Sequence, residues 1–314
     1  DPPEHTRLRA IMARALSAQR IKRLRARIAG IADQLADAMA QRREVDLIES
    51  FAMPFPLRVI CEALGVPAAA EPLVQSWSAR LEAADLEAPE QVPRIAQEMH
   101  DYLLALAQAK RLAPDDSLLG ALVAAHGRGA LSESELTATA FLLLLAGHET
   151  TANLIGNGVL ALLRHGTAWS ALCGPPDLAA ALVEELLRLE SPLEVATARF
   201  ATLQIELEGV CIQPGDRVFI GLAAANRDPA RFDRPHRLQA DRCPMASHLA
   251  FGHGIHYCLG AALARLEGEV AFSVLARRFP DLELAAEVGD LLWKPGLIMR
   301  GLERLPVYCG RRLE

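Results

Sequence analysis

The 314-residue chain has six cysteines, Cys61, Cys173, Cys211, Cys243, Cys258 and Cys309, but no C-x-x-C pair. In a chain this size, that spacing excludes a disulfide framework and reads as reduced thiols in a cytosolic protein. No run of about 18 apolar residues escapes polar interruption, so no membrane span is expected. The start is not a signal peptide; it opens at Asp1-Pro2-Pro3 without an initiator Met and is read as internal to a longer chain. Positive charge is not in surplus. The net charge of −6 speaks against a nucleic-acid partner, because neutralising phosphates takes excess Lys and Arg. β-branched runs are scarce, and neither an internal repeat nor a βαβ series is found, which leaves a mainly α protein.

What is present is ample apolar material, 51% of residues, and an uneven charge. Residues 1–30 carry eight Arg or Lys and two acids, so the remainder is strongly acidic. A basic face of this kind is ordinarily a solvated helix surface; its sharper reading is a docking surface for an acidic partner.

Apolar spacing predicts helix over 4–43, then a break around Phe51–Pro56 and a short helix, Leu57–Leu64, stopped by Gly65 and Pro67. Further helices are expected over 72–84, over 91–111 and from Asp115-Asp116-Ser117 to about Gly127. Ser132 and Glu135 form a capping box that opens a helix running without Pro to about Arg164, some 48 Å long. A helix covers 177–189. Short strands are expected at Leu203–Glu208, Val210–Ile212 and Val218–Ile220, then a Pro- and Arg-rich loop over 226–247. Leu259–Phe279 is helical again, and 281–314 holds short strands and turns.

The most specific segment is Phe251-Gly252-His253-Gly254-Ile255-His256-Tyr257-Cys258-Leu259-Gly260. A loop with glycines that permit close approach to something flat delivers a cysteine just before a helix opens. Backbone N–H groups and the positive end of the helix stabilise a thiolate there. A second unusual feature is Ala146-Gly147-His148-Glu149-Thr150, small and polar residues in the middle of the long helix.

The cysteine segment resembles the haem-ligand signature of the cytochrome P450 family, F-x-x-G-x-R/H-x-C-x-G, at Phe251, Gly254, His256, Cys258 and Gly260. Ala261–Glu267 looks like the bacterial soluble branch. Residues 146–150 are similar to that family's A/G-G-x-D/E-T motif, and Glu185 and Arg188 to its E-x-x-R, with Arg237 aligned as a third partner and Leu238 where Phe is usual. The resemblance implies a mainly α P450 fold, a large helical body with small sheets, in one haem domain spanning 1–314. It implies haem b with Cys258 as the axial thiolate, a ligand that pushes electron density to iron and favours O–O cleavage. Ala146 and Gly147 would leave room for O2, and Glu149 and Thr150 would relay protons to it. The flat face would lie on Phe251, Gly252 and Gly260. His5, Arg9, Arg199 and His256 would meet the two propionates. The implied reaction puts one oxygen atom of O2 into a small hydrophobic molecule, with electrons from NAD(P)H through a ferredoxin or flavodoxin and its reductase docked on the basic helix at 5–27.

His5 lies in a helix that, in the family, follows roughly 80–100 residues absent here, so the chain is read as a fragment or a naturally short form. A truncated haem-binding pseudoenzyme is the competing reading; another is a haem-independent helical protein in which Cys258 is merely buried. Intact Glu149 and Thr150 favour the enzyme. The substrate pocket is expected at Phe141, Leu142, Leu145, Ala146, Val195, Ala196 and the turn Leu297–Met299.

Overall fold

The computed structural model describes residues 1–174, 178–242 and 248–310. The expected helix start at 177, Cys243 and residues 311–314 of the final stretch lie outside these.

Where one helix was expected over 4–43 there are two, α1 (Glu4–Ala15) and α2 (Ala18–Met39). The break falls at Ser17, whose extended backbone (ψ 147°) starts the second helix, as serine commonly does. Strand β1 (Glu44–Asp46) and a wide helical turn at Ile48–Ala52 lead into α3 (Pro54–Leu64). Pro54 and Pro56 stand in the first turn of α3, where a missing N–H is harmless, and Gly65 ends it in the left-handed region. Then come α4 (Glu71–Glu87), α5 (Val92–Leu112) and α6 (Leu118–Gly127), the last capped by the Ser117 hydroxyl, which accepts from the Gly120 N–H.

The capping box at Ser132 and Glu135 is present and opens α7, Glu133–Ala146. The long central helix does not run on to 164; it stops, and α8 (Glu149–Arg164) begins after a two-residue interruption at Gly147 and His148. Next come α9 (Ala168–Leu172), α10 (Leu178–Leu189), the two-stranded ladder of β2 (Arg199–Phe200) with β5 (Arg217–Val218), and the hairpin β3 (Ile205–Leu207) with β4 (Val210–Ile212). A single turn, α11 (Leu222–Ala225), precedes the cysteine loop and α12, Ala261–Arg278. Strand β7 (Pro306–Tyr308) lies between β1 and β6 (Glu283–Leu284), both antiparallel, with Val45 opposite Val307.

Two apolar clusters fill the body. One joins α2, α8, α10 and α12 around Phe51, Phe55 and Phe272. The other joins α3 to α7 around Trp77, Met99 and Leu103. The junction of α7 and α8 therefore lies between the two cores. Outside both, Phe200 is 61% exposed, and Leu203, Leu207, Val210, Phe219 and Ile220 are also exposed. The five described cysteines are all free thiols, and among the described residues no helix is long and apolar enough to cross a membrane.

Candidate functional site

A cavity of about 440 Å³ opens where the α7–α8 junction, the segment after α10 and the cysteine loop meet. Ala146, Gly147, Thr150 and Thr151 line it from the junction; Phe251, Gly252, His256, Cys258 and Gly260 line it from the loop. Leu193, Ala196 and Arg199 close a third side.

The interruption has a physical cause. The His148 ring takes the Leu144 carbonyl, its Nδ1 donating over 2.9 Å, so the acceptor that a continuous helix would offer to the His148 backbone is engaged by a side chain. That tautomer leaves Nε2 to accept from the Ser78 hydroxyl at 2.6 Å. The Thr150 hydroxyl donates to the Ala146 carbonyl, 3.3 Å away. A Cβ at Gly147 would sit 2.7 Å from the Leu143 carbonyl oxygen and 2.9 Å from Ile60, so only glycine fits. Glu149 starts α8, and its carboxylate faces Lys294 Nζ at 3.9 Å. Ala146, Gly147 and Thr150 thus reach the cavity, while Glu149 stands beside its lining.

On the loop, Gly252 and Gly254 adopt φ near +73° and +74°. A Cβ at either would meet nothing within 4 Å, so both face open space. The Cys258 N–H donates to the Phe251 carbonyl over 2.8 Å, closing the turn. Burial pushes the Cys258 thiol up; the backbone N–H groups of Gly260 and Ala261, with Arg9 and Arg265, pull the other way without cancelling it. Cys61 is the contrast: burial, aided by Glu71, raises it to about 12 with nothing opposing.

Behind the loop, Arg265 lies 4.5 Å from the Phe251 ring centroid and grips Glu184 at 2.6 and 3.0 Å. His248 Nε2 also meets Glu184, 3.1 Å away. Burial would raise the Glu184 carboxyl, but His248 and Arg265 outweigh it and hold it at about 2. Deeper still, Arg188, 2% exposed, makes paired 2.8 Å contacts with Glu185 and donates to the carbonyls of Asn226, Pro235 and Arg237. The third arginine of this group is Arg242, whose Nε lies 3.1 Å from both Glu185 oxygens. The expectation of Arg237 is corrected: it supplies its carbonyl, because the loop turns there and brings Arg242 back onto Glu185.

At the rim, four expected residues come together. The His5 and His256 rings lie 4.3 Å apart. Arg9 donates to the Tyr257 carbonyl. Arg199 is folded onto Thr197, with Nη1 2.6 Å from the hydroxyl. Burial lowers both histidines, and nearby cations lower them further: for His256 these include Arg199 and Arg9, for His5 they include His256 and Arg9. His256 also meets Asp1 at 3.0 Å, and the buried His5 Nδ1 has no partner among the described residues.

The pocket expectation needs correcting. Ala146 and Ala196 line the cavity, but Phe141 and Leu145 pack into the α3–α7 cluster and Leu142 is exposed. Val195 pairs with Gly221, and Leu297 is exposed.

A family model described as cytochrome P450 matches residues 177–292. Over 311 residues the chain is 47% identical to cytochrome P450 107B1 of Saccharopolyspora erythraea, covering 99% of this chain and 76% of that protein. It is 44% identical to cytochrome P450 monooxygenase PikC of Streptomyces venezuelae, covering 76% of it. The solved structure of PksS, the bacillaene polyketide synthase cytochrome P450 of Bacillus subtilis, superposes with a TM-score of 0.95 at 42% identity, over 99% of this chain and 80% of that one. The chain belongs to the cytochrome P450 family. It spans about three quarters of the length of these curated relatives, and the enzyme class that accompanies the family is a haem monooxygenase, an oxidoreductase.

The residues of this P450 fit a haem on their own geometry. Gly252 and Gly254 leave a surface without side chains, Cys258 lines the cavity just before α12 opens, and the rim gathers two arginines and two histidines against Asp1. An orphaned buried imidazole nitrogen among such groups suits a ligand carrying carboxylates. Sequence reasoning missed Arg242, Lys294, Thr151 and Glu267. Arg242 has a legible signal, since it lies in the same Pro- and Arg-rich loop; the others have none outside the three-dimensional packing.

Proposed function

We propose that this P450, loaded with haem b, inserts one oxygen atom from O2 into a small hydrophobic organic molecule. Electrons come from NAD(P)H through a ferredoxin or flavodoxin and its reductase. The observation that carries the reading is Cys258 in the lining of the cavity, set just ahead of α12 by a loop whose Gly252 and Gly254 adopt positive φ, opposite Ala146, Gly147 and Thr150. When bound, the haem iron supplies the oxygen activation, and a thiolate ligand favours O–O cleavage. The protein's own residues do the rest. Gly252 and Gly260 keep the loop low, and Phe251 with Arg265 behind it stiffens it. His5, Arg9, Arg199 and His256 hold the propionates. Ala146 and Gly147 keep side chains away from the oxygen side. Thr150 presents a hydroxyl to the cavity, and Glu149 beside it takes protons from solvent and passes them on, with Lys294 orienting its carboxylate.

A hydrophobic substrate is supported by the apolar walls at Leu193, Ala196 and Leu222. A polyketide is the class favoured by similarity to PksS, whose own name carries that chemistry. The basic helices α1 and α2 are the proposed dock for the electron donor, the whole of 1–314 is read as one haem domain, and the site of action as the cytoplasm, with neither nucleic acid nor membrane as partner. The test is spectroscopic. The dithionite-reduced CO adduct of the purified protein should show the strongly red-shifted Soret band of thiolate ligation, and Cys258→Ser should abolish it. A band that survives in the variant overturns the assignment.

A further inference from the structure

Leu193 and Ala196 close one side of the cavity, and the chain that carries them is held by a hairpin at 292–303. Trp293 pairs with Leu302 across this hairpin, and Leu193 pairs with Met299 of its second arm. There the Glu194 N–H donates to the Ile298 carbonyl and the Arg300 N–H to the Pro192 carbonyl, both over 2.9 Å. Two backbone bonds over so short a pairing leave a strand free to twist. The side chain of Arg300 adds what they lack. Its guanidinium carbon lies 3.7 Å from the centre of the Trp293 ring, Nη2 lies 3.2 Å from Glu190, and Nη1 lies 3.6 Å from Glu194. One planar group thus touches the far arm of the hairpin and two points of the wall segment. Glu190 is steadied in turn by Arg227 at 3.4 Å.

The base of the hairpin is set against α8. Asn157 donates to the Arg300 carbonyl over 2.9 Å, and a Cβ on Gly301 would stand 2.1 Å from Asn153 Oδ1, so the two elements meet with no side chain between them. The same helix contributes Thr150, Thr151 and Leu154 to the cavity. Facing sides of the cavity are therefore referenced to one helix, the first directly and the second through Arg300. Part-exposed ion pairs contribute little to stability, and an arginine that served only solubility would need neither an aromatic platform nor two carboxylates. What the arrangement fixes is geometry.

We propose that Arg300 is a positioning residue for substrate selection: it clamps the hairpin at 292–303 to the segment 190–196, and so sets how far Leu193 and Ala196 stand from α8. A ligand large enough to lean on that wall meets a preformed surface, whereas one too small to reach it is indifferent to the clamp. The inference rests on the haem reading above and says how that site discriminates by size.

The test is spectral titration of the haem-loaded protein with imidazole and with 4-phenylimidazole. Both put a ring nitrogen on iron, and the second adds a phenyl group that reaches for the wall. In Arg300→Met the dissociation constant of 4-phenylimidazole should rise about tenfold while that of imidazole stays within about twofold. An equal change in both, or none in either, overturns the proposal. Trp293→Leu removes the platform and leaves both carboxylates in place. The same split is expected there, and its absence in that haem-loaded variant overturns the clamp even where Arg300→Met does not fold. Arg300→Lys keeps the charge without the planar fork, so it should behave like Arg300→Met; recovery of the parent affinity would show that charge alone suffices and would also overturn the clamp. A parent protein that binds neither azole and lacks the red-shifted CO Soret band would instead remove the haem reading.

Discussion

Behind Cys258 the chain is anchored by buried charge, whereas the opened helix at Gly147 is held mainly by single hydrogen bonds of His148, Ser78 and Thr150, with the Glu149–Lys294 pair at its edge looser at 3.9 Å. On the first side, Glu185 sits between Arg188 and Arg242, and Glu184 between Arg265 and His248. On the second, His148 bonds the Leu144 carbonyl and the Ser78 hydroxyl, and Thr150 donates to the Ala146 carbonyl. Buried ion pairs with bidentate geometry have one good arrangement, and losing a partner leaves an uncompensated charge, so the side carrying Cys258 is rigid. Single hydrogen bonds between neutral groups are worth about 1 kcal/mol each and re-form with modest movement, so the junction is adjustable.

That contrast gives a ranking that measurements can break. Arg188→Met should be the most damaging change, about 3–5 kcal/mol in urea unfolding, because it strands Glu185 in the core. Arg242→Ala should follow at about 1–3 kcal/mol, and Arg237→Ala should stay within about 0.5 kcal/mol, since only its carbonyl is used. The reverse order for the last two would sink the placement of Arg242. Ser78→Ala, on the adjustable side, should cost about 1 kcal/mol, and a loss matching that of Arg188→Met would erase the distinction between the walls. A further effect is electrostatic and is read from its pH dependence. Glu184 is held at about 2, below its unfolded value of about 4.3, so its stabilisation is complete above the latter and fades as pH falls towards the former. The melting temperature should therefore drop more steeply between about pH 5 and pH 2.5 in the parent protein than in Glu184→Gln; equal slopes would show that the pair contributes nothing.

Much of the cysteine loop was legible because its chemistry is local: the glycines, the sulfur and the helix start lie within ten residues. The hairpin strand Val210–Ile212 and helix α5 fall close to the positions that apolar period and turn residues predict. The central helix was misread as continuous because its apolar pattern carries through Gly147, and only the fold shows the His148 ring on the Leu144 carbonyl. Likewise nothing near Glu185 in sequence distinguishes Arg237 from Arg242; the choice is made by how the 226–242 loop turns. Phe141 and Leu145 are expected in an apolar pocket lining, but the α3–α7 cluster takes up that face of α7.

The apolar side chains at Phe200, Phe219 and Ile220 flank a two-stranded ladder, β2 with β5, that has no third strand among the described residues. Open backbone donors and acceptors beside uncovered rings form a template onto which another extended chain can add. In concentrated solution these 314 residues will therefore be sticky at that edge, and a single charged side chain in place of Phe219 is the simplest gatekeeper against clumping.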